Sequence, residues 1–127
     1  MKISEYNEII KLEWSEYRIQ CEIAIHLKSV YPDALWTASA GGMRTSVGTG
    51  KKMKATGYSK GCPDIFIFES RKSYLGLVIE LKTAKKYHKT DEQIKWINDL
   101  QKRNYKAVFC CGYAEAIKTI DDYFSEK

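Results

Sequence analysis

The sequence predicts a mixed α/β fold in which helices flank a central sheet, in the order α-β-β-β-α-β-α. Three observations carry this. Apolar residues recur at helical spacing through residues 4–31, short β-branched and aromatic runs follow at 65–68, 77–79 and 106–111, and a helical pattern at 91–102 separates the last two runs. A strand, a helix and another strand imply a parallel pair, whereas the short polar link at 70–76 implies an antiparallel one, so the sheet is mixed.

Ser4 is placed to cap the first helix, and Ile9, Leu12, Ile19, Ile23, Leu27 and Val30 form its apolar stripe until Pro32-Asp33 ends it. Residues 34–40 read as the first strand. They lead into a segment with six of the eight glycines, expected to be a loop or irregular hairpin. After the two central strands, residues 85–90 form a polar connection, and Thr90 or Asp91 can cap a helix that buries Ile94, Ile97 and Leu100. Gly112 ends the fourth strand, and residues 113–124 read as a closing helix. At 127 residues the chain is expected to be one domain, 1–127, with no internal repeat.

Composition narrows the functional classes. The net charge is +5 on a mixed background, and from Gly41 to Gly61 there are Arg44, Lys51, Lys52, Lys54 and Lys60 with no acidic residue. Such a segment is either a solvated loop or an arm that follows a phosphate backbone; its position immediately before Asp64 favours the arm. Lys85 and Lys86 extend the basic surface from the strand that carries Lys82. The four cysteines contain no C-x-x-C pair, so neither a zinc ribbon nor a disulfide framework is expected. No signal-peptide core and no run of membrane-spanning length is present, and the expected location is the cytoplasm.

The chemistry concentrates in Pro63-Asp64 and, sixteen residues after the aspartate, Glu80-Leu81-Lys82. Strand alternation puts Glu80 and Lys82 on one face, and Leu77-Val78-Ile79 before them is apolar on both faces, as in a central strand. An ionised carboxylate is costly there unless it is paired or metal-bound. Magnesium, with manganese as its substitute, accepts two carboxylates, a backbone carbonyl and a substrate phosphate and keeps water for the rest. A lysine on the same face can hold the scissile phosphate or the attacking water. Taken alone, Glu-x-Lys is far better explained by a surface ion pair, because such tripeptides are common. Gly48-Thr49-Gly50-Lys51 lacks the spacing and hydroxyl of a phosphate loop, and His26 and His88 have no partners in sequence that would make either a general base.

Gly61-Cys62-Pro63-Asp64-Ile65, then Val78-Ile79-Glu80-Leu81-Lys82-Thr83, then Gln93 opening a helix that carries Trp96, resemble the PD-(D/E)XK nuclease superfamily and within it the virus-type replication-repair nuclease (VRR-NUC) domain. The resemblance spans nearly the whole chain, and the family's core order α-β-β-β-α-β agrees with the order above. It implies a metal-dependent DNA endonuclease of the stand-alone phage or bacterial type. Asp64, Glu80 and the Leu81 backbone would then bind Mg2+ (or Mn2+), Lys82 would be the catalytic lysine and Gln93 the helix glutamine near the site. The family also places a glutamate on the first helix. Glu16 shares the inward stripe of Ile19, Gln20, Ile23 and Leu27, whereas Glu22 is rotated by about 240° around the helix. Glu16 is therefore preferred as the fourth site residue and metal ligand, with Glu22 the alternative, and Gln20 completes a Glu-x-x-x-Gln pattern. Small members are similar to Holliday junction resolvases, which implies branched DNA as substrate and a homodimer that presents two sites. Tyr6, Ile10, Trp14 and the glycine-rich arm are the candidate contacts. The rivals are a nuclease of the same fold acting on flaps or duplex, and a DNA-binding protein without activity.

Overall fold

A computed structural model describes residues 2–39 and 47–126, with backbone alone at 8–10, 12 and 47. The elements are α1 (Ile3–Leu12), α2 (Glu16–Val30), β1 (Trp36–Ala38), α3 (Val47–Ala55), β2 (Ile65–Ile67), β3 (Leu77–Lys82), α4 (Asp91–Gln101), β4 (Lys106–Cys111) and α5 (Tyr113–Ser125). The sheet order is β1-β2-β3-β4, with β2 antiparallel to both β1 and β3 and β4 parallel to β3. This is the mixed sheet that the connections predict.

Two differences concern helices. The first helix is not continuous. Ser15 takes an extended backbone and its hydroxyl accepts from the Arg18 N–H at 3.1 Å, so the chain restarts as α2. A serine N-cap stabilises a helix start by about 1 kcal/mol, and Trp14 fixes the break by packing edge-on to Tyr113 at 5.3 Å beneath the Arg18 guanidinium. Leu12, Ile9 and Ile10 have side chains outside the described residues, and Val30 of the expected stripe is exposed.

The second difference lies in the glycine-rich stretch, which contains α3 rather than a loop or hairpin throughout. Gly48 and Gly50 each cost about 1 kcal/mol of helix propensity relative to alanine, but Lys51-Lys52-Met53-Lys54-Ala55 favours helix, and its lysines lie near the negative end of the dipole. Gly57, at φ +109°, closes it: the Gly57 and Tyr58 N–H groups donate to the Lys54 and Met53 carbonyls at 3.1 and 2.9 Å. Arg44 lies outside the described residues.

Alternation along β3 sorts the interior. Leu77, Ile79 and Leu81 face Ile19, Ile23 and Leu27 of α2 and Ala116, Ile120 and Tyr123 of α5, in a cluster shared with Ile65 and Ile67 of β2. Val78 faces the other way, against Ile97 and Leu100 of α4 and Ala107 of β4. Glu80 and Lys82 have the parity of Val78 and therefore face the α4 side. Ile94, expected to be buried with Ile97 and Leu100, is 39% exposed, because the inward arc of α4 begins one turn later. All six residues of β3 are buried, so its two charged side chains are held inside the protein.

His26 is absorbed by structure: its Nε2 lies 2.8 Å from Asp121 Oδ1, which also accepts from the Tyr31 hydroxyl at 2.7 Å, tying α2 to α5. The four cysteines are free thiols. Among the described residues no helix is long and apolar enough to cross a membrane.

Candidate active site

Asp64 is positioned by backbone on both sides. Its carbonyl accepts from the Ser39 N–H next to β1 at 2.8 Å, and its own N–H donates to the Ile79 carbonyl of β3 at 3.1 Å. One carboxylate oxygen accepts from the Leu81 N–H at 2.7 Å. Because the N–H and C=O of one strand residue point to the same edge, the Leu81 carbonyl also faces the Asp64 side of β3.

Glu80 lies beside it. Gln93 Nε2 donates to Glu80 Oε1 at 2.8 Å, while Glu80 Oε2 is buried with no hydrogen-bond partner. Gln93 also binds the lysine, since its Oε1 accepts from Lys82 Nζ at 2.7 Å and from the Thr90 N–H at 3.1 Å. A capping box sets this up: the Thr90 hydroxyl accepts from the Gln93 N–H at 3.2 Å, so the residue that starts α4 also places its glutamine. The His88 carbonyl takes a second Lys82 donor at 2.8 Å. Two of the three ammonium donors are thereby held, leaving one for a group in the cleft.

These side chains line a cleft of about 740 Å3 that also contains Glu16, Tyr58, Lys60, Cys62, Lys85 and Lys86. The structure thus brings together Asp64, Glu80, Lys82, Glu16 and Gln93, with Lys60, Lys85 and Lys86 around them. Lys51, Lys52 and Lys54 are exposed on α3 and do not line the cleft. Gln20 is half-buried outside it, and Glu22 pairs with Arg18 at 3.1 Å on the surface. Sequence reasoning missed Tyr58, Cys62, Tyr87 and Thr90 as cleft residues; Tyr58 and Cys62 flank the Pro-Asp motif closely enough to have been considered. It also missed His88, which acts through its backbone carbonyl, a role no side-chain pattern reveals.

Crowding of acids sets the electrostatics. Burial, then the Asp64 charge, pushes Glu80 up to about 8, and the Lys82 charge offsets this only in part. Burial and Asp64 raise Glu16 as well, and burial raises Asp64 despite the Leu81 N–H. A divalent cation reverses each of these penalties. Among the described residues no group of three or more His, Cys, Asp and Glu side chains is arranged to hold a metal ion by itself. An ion here would have to be held by the Asp64–Glu80 pair, with Glu16 beside Asp64, and would need further oxygens from backbone, water or substrate. The unpartnered Glu80 Oε2 is the observation that supports it.

One consequence is measurable on folding. Glu80 has a folded pKa above its unfolded value of 4.5, so the native state holds a proton that the unfolded chain releases. Its stabilising contribution is present below about pH 4.5 and is lost as pH rises through about 8. The metal-free melting temperature should fall between pH 5 and 9, more steeply than in Glu80→Gln, and millimolar magnesium at pH 8.5 should restore it in wild type alone.

Residues 12–114 match the family described as the VRR-NUC domain. A solved structure titled "VRR_NUC domain protein" superimposes with a TM-score of 0.75 at 25% identity, covering 89% of this chain and 90% of that one. No curated protein matches. With the match spanning most of the chain and the same fold in that relative, the protein belongs to the VRR-NUC family of nuclease domains.

Proposed function

We propose that residues 1–127 form one magnesium-dependent endodeoxyribonuclease domain that hydrolyses phosphodiester bonds in branched DNA, in the manner of a Holliday junction resolvase. The observation that carries this reading is the buried Asp64–Glu80 pair, with one carboxylate oxygen unpartnered, facing a cleft beside a fixed lysine. Asp64, Glu80 and the Leu81 carbonyl would hold the ion, with Glu16 joining directly or through water. When bound, magnesium supplies Lewis-acid activation of water and neutralises charge on the phosphate.

The chain's own residues do the rest. Gln93 fixes Glu80 by donating to one oxygen and orients the Lys82 ammonium through its other end. Lys82 directs its remaining donor at a nonbridging phosphate oxygen, where negative charge grows as the attacking water oxygen adds to phosphorus. It is less than one-tenth exposed, so its field is little screened. Lys60, Lys85 and Lys86 grip flanking phosphates, and α3 offers Lys51, Lys52 and Lys54 to the backbone further along, with Arg44 assigned to the same arm.

The described residues build one such site, so paired incision calls for a homodimer. Trp14 is already engaged with Tyr113 and Arg18, which leaves exposed Tyr6 as the clearer contact residue in that region.

The substrate assignment is tested by cleavage of four-way junctions, flaps and plain duplex of matched sequence in magnesium. Junctions should be cut fastest, by symmetric incision. Preference for flaps or duplex contradicts the resolvase reading, and a protein inert in both magnesium and manganese is a binder rather than an enzyme.

A further inference from the structure

A second groove, of about 490 Å3, adjoins the cleft at Lys60, which lines both. Its wall is α4: Trp96 stands one turn beyond Gln93, and Arg103 follows just past the helix end, about 15 Å along the axis from the glutamine. Trp96 is half-buried, packed below against the cluster of Val78, Ile97, Leu100 and Ala107, and so is rigidly mounted at the groove. Lys60, Lys95 and Arg103 meet Glu92 and Asp99 around it. Both acids are occupied, Asp99 by Lys95 at 2.6 Å and Glu92 by Lys60 at 3.6 Å. Arg103 donates one Nη1 bond to the Asp99 carbonyl at 2.8 Å, which holds the guanidinium at the rim and leaves other donors for a ligand.

We infer that this groove binds unpaired nucleotides of a DNA strand leaving the cleft, with a base against Trp96 and its phosphates on Arg103 and Lys60. The inference rests on the nuclease reading of the adjoining cleft. An indole flanked by cations recognises the two features every nucleotide has, a π-face and a phosphate. Bases within duplex stack on one another and present no free face, so the ligand class is single-stranded. The same charge would attract an acidic peptide, but the shared Lys60 makes the groove an extension of a phosphate-binding cleft, which decides for nucleic acid.

The test uses binding alone, in EDTA at fixed salt, so it is independent of hydrolysis. Blunt duplex is compared with the same duplex carrying a short single-stranded extension with 2-aminopurine at successive positions. Wild type should bind the extended form roughly tenfold more tightly, in line with the stacking of one base on an aromatic ring. It should also quench 2-aminopurine at one unpaired position. Trp96→Leu should lose both effects and Trp96→Phe retain most of the preference. Arg103→Ala, an exposed change that spares the core, should lose several-fold for extended DNA and none for blunt duplex. Equal affinity of wild type for the two DNAs, or quenching that persists in Trp96→Leu, overturns the inference. So does an extension preference that an acidic peptide competes away while a single-stranded oligonucleotide does not. If hydrolysis fails while the preference holds, the nuclease reading falls and the groove stands; the opposite pair of results does the reverse.

Discussion

Lys82→Ala should lower DNA cleavage by about a thousandfold or more while leaving DNA affinity within a few-fold of wild type. The ammonium is buried and fixed by the Gln93 side chain and the His88 carbonyl, so it is arranged before substrate arrives and needs no reorganisation. Its loss removes one phosphate contact among several cationic ones, which should reduce the salt dependence of binding by about one unit of slope. Folding should suffer modestly. The His88 carbonyl loses its lysine donor, at about 1–3 kcal/mol if it stays dry, whereas Gln93 Oε1 keeps the Thr90 N–H. Single-turnover cleavage, binding in calcium and thermal melting on the same preparation separate these effects. Activity within tenfold of wild type would remove Lys82 from the chemistry.

Gly61→Ala should damage both stability and cleavage although the residue carries no side chain. Its φ is +83°, in the left-handed region, and an added Cβ would stand 2.7 Å from Glu92 backbone carbon and 2.9 Å from the Gln93 nitrogen. Strained backbone contributes about 1–3 kcal/mol and overpacking a similar amount. The obstacle is the first turn of α4, so relief requires shifting the residue that links Glu80 to Lys82. Gly57→Ala is the informative companion, because Gly57 is at φ +109° with nothing within 4 Å of the added carbon. It should show backbone strain alone, about 1–3 kcal/mol, with cleavage retained. Denaturant unfolding and cleavage rates distinguish the two, and equal loss in both variants would mean that Gly61 does not act through α4.

The contrast explains what the sequence made legible. The mixed pairing of the sheet follows from its connections, and the facing of Glu80 and Lys82 from a two-residue period that tertiary context cannot alter without exposing Leu77, Ile79 and Leu81. The start of α4 was legible as a cap at Thr90 or Asp91, and the fold gives it to Thr90. The break before Glu16 was less visible because the apolar stripe continues across it, and only the Ser15 cap and the packing of Trp14 on distant Tyr113 determine it. Helix α3 was hidden by glycines whose propensity argues for loop, although Gly57 is a helix stop signal in the right place. Within the site, side-chain donors could be nominated from type and spacing. The His88 carbonyl and the unpartnered Glu80 oxygen are properties of folded backbone and burial.

DNA incision should require a divalent ion held by the Asp64–Glu80 pair. The deciding measurement incubates a labelled four-way junction with wild type and Asp64→Ala in magnesium, in calcium and in EDTA. Wild type should incise in magnesium alone, Asp64→Ala should not incise at all, and both proteins should bind the junction in calcium. Incision in EDTA, or incision by Asp64→Ala at the wild-type rate, would contradict that requirement.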